Sequence, residues 1–111
     1  MNTMVTNLKR ASVDVILLTL LTEEDMYGYQ LVQEIKRRSN GELTLLEGSM
    51  YTILNRLKDK GDVTFYSMTV GKKMKRVYYH ITDAGKEHLV EMRATYEKNI
   101  AIIAKILDGE N

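Results

Sequence analysis

From Thr82 to Leu107 the chain reads TDAGKEHLVEMRATYEKNIAIIAKIL, a stretch that carries a helical apolar stripe without interruption. Leu89, Met92, Tyr96, Ile103 and Ile106 recur at spacings built from three and four, with Asn99 in the same seam and Ile100 beside it. Thr82 is a natural N-cap and Asp83 suits the first turn, so the spacing predicts a helix over 83–107, about seven turns long. A chain of 111 residues builds one modest core, and such a helix is longer than that core can cover. A second copy of the chain would bury the remainder, which makes Leu89, Met92, Tyr96, Asn99, Ile103 and Ile106 the expected dimerisation surface of a homodimer.

Upstream, the periodicity changes four times. Leu8, Ala11, Val15 and Leu18 predict a first helix over about 5–21, whose second half, VILLTLL, is apolar nearly all round and needs more than one neighbour. Glu23, Glu24 and Asp25 suit the entry to a second helix, expected over 26–39 with Tyr27, Leu31, Val32 and Ile35 on one face. Lys36, Arg37 and Arg38 complement its C-terminus and SNG stops it. ELTLL (42–46) alternates in part and allows one small strand.

In EGSMYTILNRLKDKG (47–61), Met50, Ile53, Leu54 and Leu57 line one side of a third helix, with Gly48 or Ser49 near its N-cap. Ser49, Thr52, Asn55, Arg56 and Asp59 fall on the other side, with Tyr51 and Lys58 on the flank. DVTFYSMTV and KRVYYHIT, rich in β-branched and aromatic residues, flank GKKM and predict a β-hairpin with a basic tip.

Charge sharpens this order. The net charge is only +1, yet residues 56–76 hold seven cations against two acids, a local excess of +5, and the rest of the chain stands at −4. Concentrated basic charge suits a phosphate footprint, and equally a solvated Lys-rich hairpin. Three helices, a basic hairpin and a long helix form the order of a winged helix-turn-helix. There the third helix enters the DNA major groove and the hairpin contacts the flanking backbone. The fold class expected is mainly α with a small β-hairpin (α+β). Residues 1–82 would form the DNA-binding domain and 83–111 the dimerisation helix. Asn55 can pair with adenine and Arg56 with guanine, while Ser49, Tyr51 and Thr52 offer hydroxyls to bases or phosphates. Lys72, Lys73, Lys75 and Arg76 would add phosphate contacts that carry affinity and salt dependence.

Several classes find no support in the residues. The chain has no Cys, which excludes disulfide frameworks and thiolate metal sites. VILLTLL is too short to span a bilayer, and no basic stretch precedes an apolar core at the N-terminus, so a cytoplasmic protein is expected. His80, in a strand, and His88, on a helix, lack ligand-spaced partners and are expected to be structural, with no metal and no cofactor. No phosphate loop, nucleophile elbow or paired catalytic carboxylate occurs, so an enzyme is not expected. The alternative kept open is a winged-helix protein-interaction module without specific DNA binding.

Three strings carry a resemblance. MYGYQLVQEI, GSMYTILNRLKDKGDV and KRVYYHITDAGKEHL, in that order, resemble the signatures of the PadR family of bacterial transcriptional regulators. With ASVDVILLTLL and SNGE, and with a single C-terminal helix, the chain is similar to the short LmrR-like branch. The resemblance covers about residues 8–107. It implies a winged-helix homodimer repressing at a pseudo-palindromic operator in double-stranded DNA. Tyr51 matches the family tyrosine of the recognition helix, with Thr52, Asn55 and Arg56 on its DNA-facing side. Tyr78 and Tyr79 match the paired tyrosines of the last strand. It further implies a flat apolar pore at the dimer interface, where an aromatic of the last helix stacks on a small-molecule effector. Tyr96 falls at that position, with Leu8, Ala11, Val15, Met92 and Ile100 as wall. The chain departs from the pattern in two places: it has no Trp for the pore, and its wing reads VGKKMKR rather than a Gly- and Arg-rich form. Ile100 also stands where a polar or acidic residue would favour cationic ligands.

Overall fold

The computed structural model describes the backbone of residues 3–109 and the side chains from Ser12 onward. Four helices and a three-stranded sheet follow in the order α1 (Thr3–Glu23), β1 (Met26–Tyr27), α2 (Gly28–Arg38), α3 (Glu47–Asp59), β2 (Val63–Val70), β3 (Met74–Ile81) and α4 (Asp83–Leu107). This is the α+β class with a hairpin between the third and fourth helices. The sheet is antiparallel in the order β1-β3-β2, and Val63 to Val70 pair in register with Ile81 to Met74.

The core sits where α1, α2 and α3 meet the root of the hairpin. Val13, Leu17, Leu18, Leu20 and Leu21 of α1 pack with Leu31 and Ile35 of α2 and with Met50, Leu54 and Leu57 of α3. Met26, Val63, Tyr79 and Ile81 close it from the sheet. Burial of apolar surface on this scale is the main force holding the helices together. Leu89 and Met92 of α4 pack against its edge, half-buried. Beyond Met92 the chain is exposed through the rest of α4 and on to Gly109.

Helix ends agree with their local chemistry in two cases. Thr82 caps α4, accepting from the Gly85 N–H at 2.9 Å. Asn40 and Gly41 take the left-handed conformation at the end of α2, where the Gly41 N–H reaches the Lys36 carbonyl at 2.8 Å.

Three expectations are corrected. Met26 and Tyr27 are not the first turn of α2 but a short strand, paired with Tyr79 and Tyr78. The Tyr27 ring stands edge-on to Tyr78 at 5.5 Å, and extended backbone is what allows it. ELTLL pairs with no strand and runs as a loop. There the Leu43 N–H bonds to Ser39 Oγ at 2.9 Å. The third helix starts earlier than expected, with Leu46 at its N-cap and no side-chain cap.

Candidate nucleic-acid interface

The third helix divides its faces cleanly. Met50, Leu54 and Leu57 are buried and Ile53 half-buried, while Gly48, Ser49, Tyr51, Thr52, Asn55 and Asp59 are exposed. Four residues proposed as contacts, Ser49, Tyr51, Thr52 and Asn55, therefore lie together on accessible surface within two turns of one helix. Thr52 bonds back to the Gly48 carbonyl at 3.3 Å. No side-chain hydrogen bond within the chain engages Asn55 among the described residues, so its amide has both donor and acceptor free for a base edge.

Tyr51 has two tasks. Its ring lies against the start of α2, where a Cβ on Gly28 would come within 2.7 Å of it. Its hydroxyl donates to Glu47 Oε2 at 3.0 Å and stays at the surface. Burial, then the bond to Glu47, pushes its pKa up, so the phenol remains a hydrogen-bond donor.

Arg56 departs from the expected reading face. Its guanidinium Nη2 donates to Oδ1 of Asp14 on α1, across 42 residues of sequence. At 100° per residue it leaves the helix between Thr52 and Ser49, at the edge of the exposed face, and from there its side chain is engaged by Asp14. Asp14 is almost fully buried. Desolvation raises its pKa, opposed by the charges of Arg56, Lys60 and His88 and assisted by that of Asp62. The signal available in the sequence was Asp14 itself, one carboxylate inside SVDVILLTLL, which needs a cationic partner if buried.

The hairpin stands beside α3, joined to it by packing and by Lys58 lying over the Phe65 ring at 5.1 Å. Lys72 and Lys73 occupy the tip and Lys75 the last strand, all exposed. Arg76 is half-buried, its guanidinium 4.4 Å from the centre of the Tyr27 ring. Tyr78, stacked on Tyr66 at 5.8 Å, and the buried Tyr79 are packing residues of the sheet.

Both histidines pair with carboxylates rather than with each other. His80 Nδ1 lies 2.8 Å from Asp25 Oδ1, and the Tyr66 hydroxyl donates to Asp25 Oδ2 at 2.7 Å. Burial works to raise the Asp25 pKa, but the bonds from Tyr66 and His80 outweigh it and hold it below its ordinary value. His88 Nδ1 lies 3.0 Å from Oδ2 of the buried Asp62. Among the described residues no cluster of His and carboxylates could hold a metal ion.

The fold has counterparts in known proteins. The model of the transcriptional regulator PadR-like family matches residues 17–91. The chain belongs to the PadR-like family of transcriptional regulators. A Lysinibacillus sphaericus protein of unassigned role is 35% identical over 90% of this chain and 92% of its own length. The negative transcriptional regulator PadR of Bacillus subtilis is 29% identical over 66% of this chain, which spans 40% of that protein.

Solved PadR-type structures share the fold. A transcriptional regulator from Clostridium thermocellum superposes with a TM-score of 0.83 at 28% identity, covering 89% of this chain and 96% of that one. A PadR family regulator from Eggerthella lenta gives 0.83 at 28% identity over 95% and 89%. Bacillus subtilis PadR in complex with operator DNA gives 0.66 at 26% identity over 71% and 45%. This PadR-family chain is thus a winged helix-turn-helix regulator of transcription, and its family is not one of enzymes. No helix among the described residues is long and apolar enough to cross a membrane.

A second surface lies between α1 and α4. Two shallow grooves flank Tyr96, with Val15 common to both. One, of about 340 Å³, adds His88, Glu91, Met92 and Asn99; the other, of about 380 Å³, adds Ile16, Leu20, Arg93 and Glu97. Val15, Met92 and Tyr96 are therefore brought together along one groove. Ile100 lies on the next turn, exposed and outside both grooves. Leu8 and Ala11 lie outside the described side chains. The groove carboxylates Glu91 and Glu97 were missed, because they read as solvated positions on the helix.

Proposed function

We propose that this PadR-family regulator is a repressor that binds a pseudo-palindromic operator as a homodimer in the cytoplasm. In this reading α3 enters the major groove with Asn55 reading a base edge and Ser49, Tyr51 and Thr52 fixing register. Lys72, Lys73 and Lys75 hold the flanking phosphates, and Arg76 reaches the backbone from its seat on Tyr27. The observation that carries it is the exposed polar face of α3 beside a cationic hairpin, in a fold shared with a PadR bound to operator DNA. Residues 83–111 pair the two copies, and residues 1–82 carry the DNA-reading surfaces, with the single C-terminal helix of the short LmrR-like branch.

The effector part of the proposal rests on Tyr96. A small hydrophobic or aromatic molecule stacks on its ring between the two α4 helices and loosens the DNA-bound arrangement.

Footprinting on the DNA upstream of the chain's own and neighbouring genes tests the DNA reading. Protection of a site with two-fold related halves about one helical turn apart is the expected result. Asn55→Ala should then weaken that site by about 1–3 kcal/mol while leaving scrambled DNA unaffected. Binding with no preference for any site would refute the reading and favour an interaction module.

A further inference from the structure

This inference rests on the reading of α3 as the DNA-facing helix. Asp14 has 7% of its surface exposed and Asp62 has 3%, the two buried charged residues among the described residues. Asp14 is ringed by charge from three elements: Arg56 and Lys60 from α3 and its end, Asp62 from the following turn, and His88 from α4. Among the described residues, its bond with Arg56 is the one polar side-chain link between α1 and α3. All else that holds α3, on α2, β2 and α1, is chiefly apolar packing.

Apolar packing fixes how deeply a helix sits and which face turns inward, but it opposes small rotations about the helix axis only weakly. Reading a base edge needs the reading atoms held to within about 0.5 Å of their place. A charged hydrogen bond on the flank of α3 supplies the missing direction, since it is sensitive to both distance and angle. Arg56 sits one residue past Asn55, so a rotation that strained the bond to Asp14 would swing the Asn55 amide with it.

We propose that Asp14 is a positioning residue for DNA recognition. Acting through Arg56, it locks the rotational setting of α3, and Arg56 belongs to this lock rather than to the base-reading set. The link also joins α3 to the helix whose Val15 lines both grooves beside Tyr96, one residue from the carboxylate.

The test uses the full chain, with the tightest duplex recovered by selection from a random library and a scrambled duplex of equal composition. Asp14→Asn and Arg56→Gln should each lower the preference for the selected duplex by roughly tenfold, the scale of a mismatched base pair. The double variant should lose no more than either single one, because both break the same bond. Affinity for scrambled DNA and its salt slope should stay at the parent's values in all three, a result that general loss of fold would not give. If Asp14→Asn fails to fold, the double variant carries the test, since it leaves no charge buried without its partner.

Asp14→Asn, or the double variant, binding the selected duplex with the parent's preference overturns the proposal. So does an Arg56→Gln salt slope lower by about one, which marks a direct phosphate contact. Failure of the parent to enrich any sequence would be distinguishable from both. It removes the DNA-reading function and the positioning role together.

Discussion

Two glycines in this chain are fixed by what their missing Cβ leaves room for. At Gly28 the space is taken by the Tyr51 ring, and at Gly85 by the carbonyl of Asp62. That carbonyl accepts from the Thr82 N–H at 3.0 Å and the Thr82 hydroxyl at 3.1 Å, so it cannot retreat without breaking the cap of α4. Gly85→Ala should therefore cost about 1–3 kcal/mol, as overpacking does, read as a lowered urea midpoint at unchanged slope. Gly28→Ala meets a side chain that can turn aside, so it should spare stability more and displace Tyr51. Equal stability of Gly85→Ala and the parent would show that the Asp62 turn yields freely.

Asp25 makes a second prediction at this scale. Its folded pKa lies below the ordinary 3.8, held there against the effect of burial by Tyr66 and His80. Its contribution to stability is thus complete above 3.8 and lost as pH falls through the lower folded value. Asp14 has the opposite sign, its raised pKa making the folded state gain as acid protonates it. Asp25→Asn should lower the urea midpoint near neutrality and converge with the parent once the pH has fallen through the lowered folded pKa. A constant difference across the acid range would mean that the ionised carboxylate is not what matters.

Elements with a long period were legible before any coordinates. The stripe of α4 gave its limits, and the alternation around GKKM gave the hairpin, because in each many residues report the same geometry. Two residues cannot show a period, so Met26–Tyr27 was read as helix, and its pairing with Tyr79 and Tyr78 depends on chain 51 or more residues away. Of the exposed polar face of α3, Ser49, Thr52 and Asn55 were legible from helical spacing alone. Arg56 was not, because spacing says which side a residue leaves the helix and not what waits there. The hairpin makes its own prediction. Lys72→Ala with Lys73→Ala should reduce the salt slope of DNA binding by about 1.8, or 0.9 per lost phosphate contact. An unchanged slope would mean that the tip stands clear of the backbone.

The dimensions of the whole molecule point to a missing neighbour. Its radius of gyration is 15.9 Å and it extends 62 Å along its longest axis. A compact chain of this size has a radius near 13 Å. The excess is α4, whose outer half carries Tyr96, Ile100, Ile103, Ile106 and Leu107 into solvent, with Ile106 72% and Leu107 79% exposed. A contiguous apolar strip of this kind is unusual on a monomer. Two such strips laid together would cover each other and place a second Tyr96 and a second pair of grooves across the seam. The parent should sediment as a dimer at micromolar concentration, and its melting temperature should rise with protein concentration. Ile103→Asp with Ile106→Asp should shift it to monomer, because two carboxylates would be buried against apolar partners. The core around Leu17, Leu31 and Leu54 lies far along the chain from both substitutions and should keep its fold by circular dichroism. Operator affinity should drop steeply, since one copy reads one half-site. A parent that sediments as a monomer would leave the strip unexplained and remove the two-fold operator from the proposal.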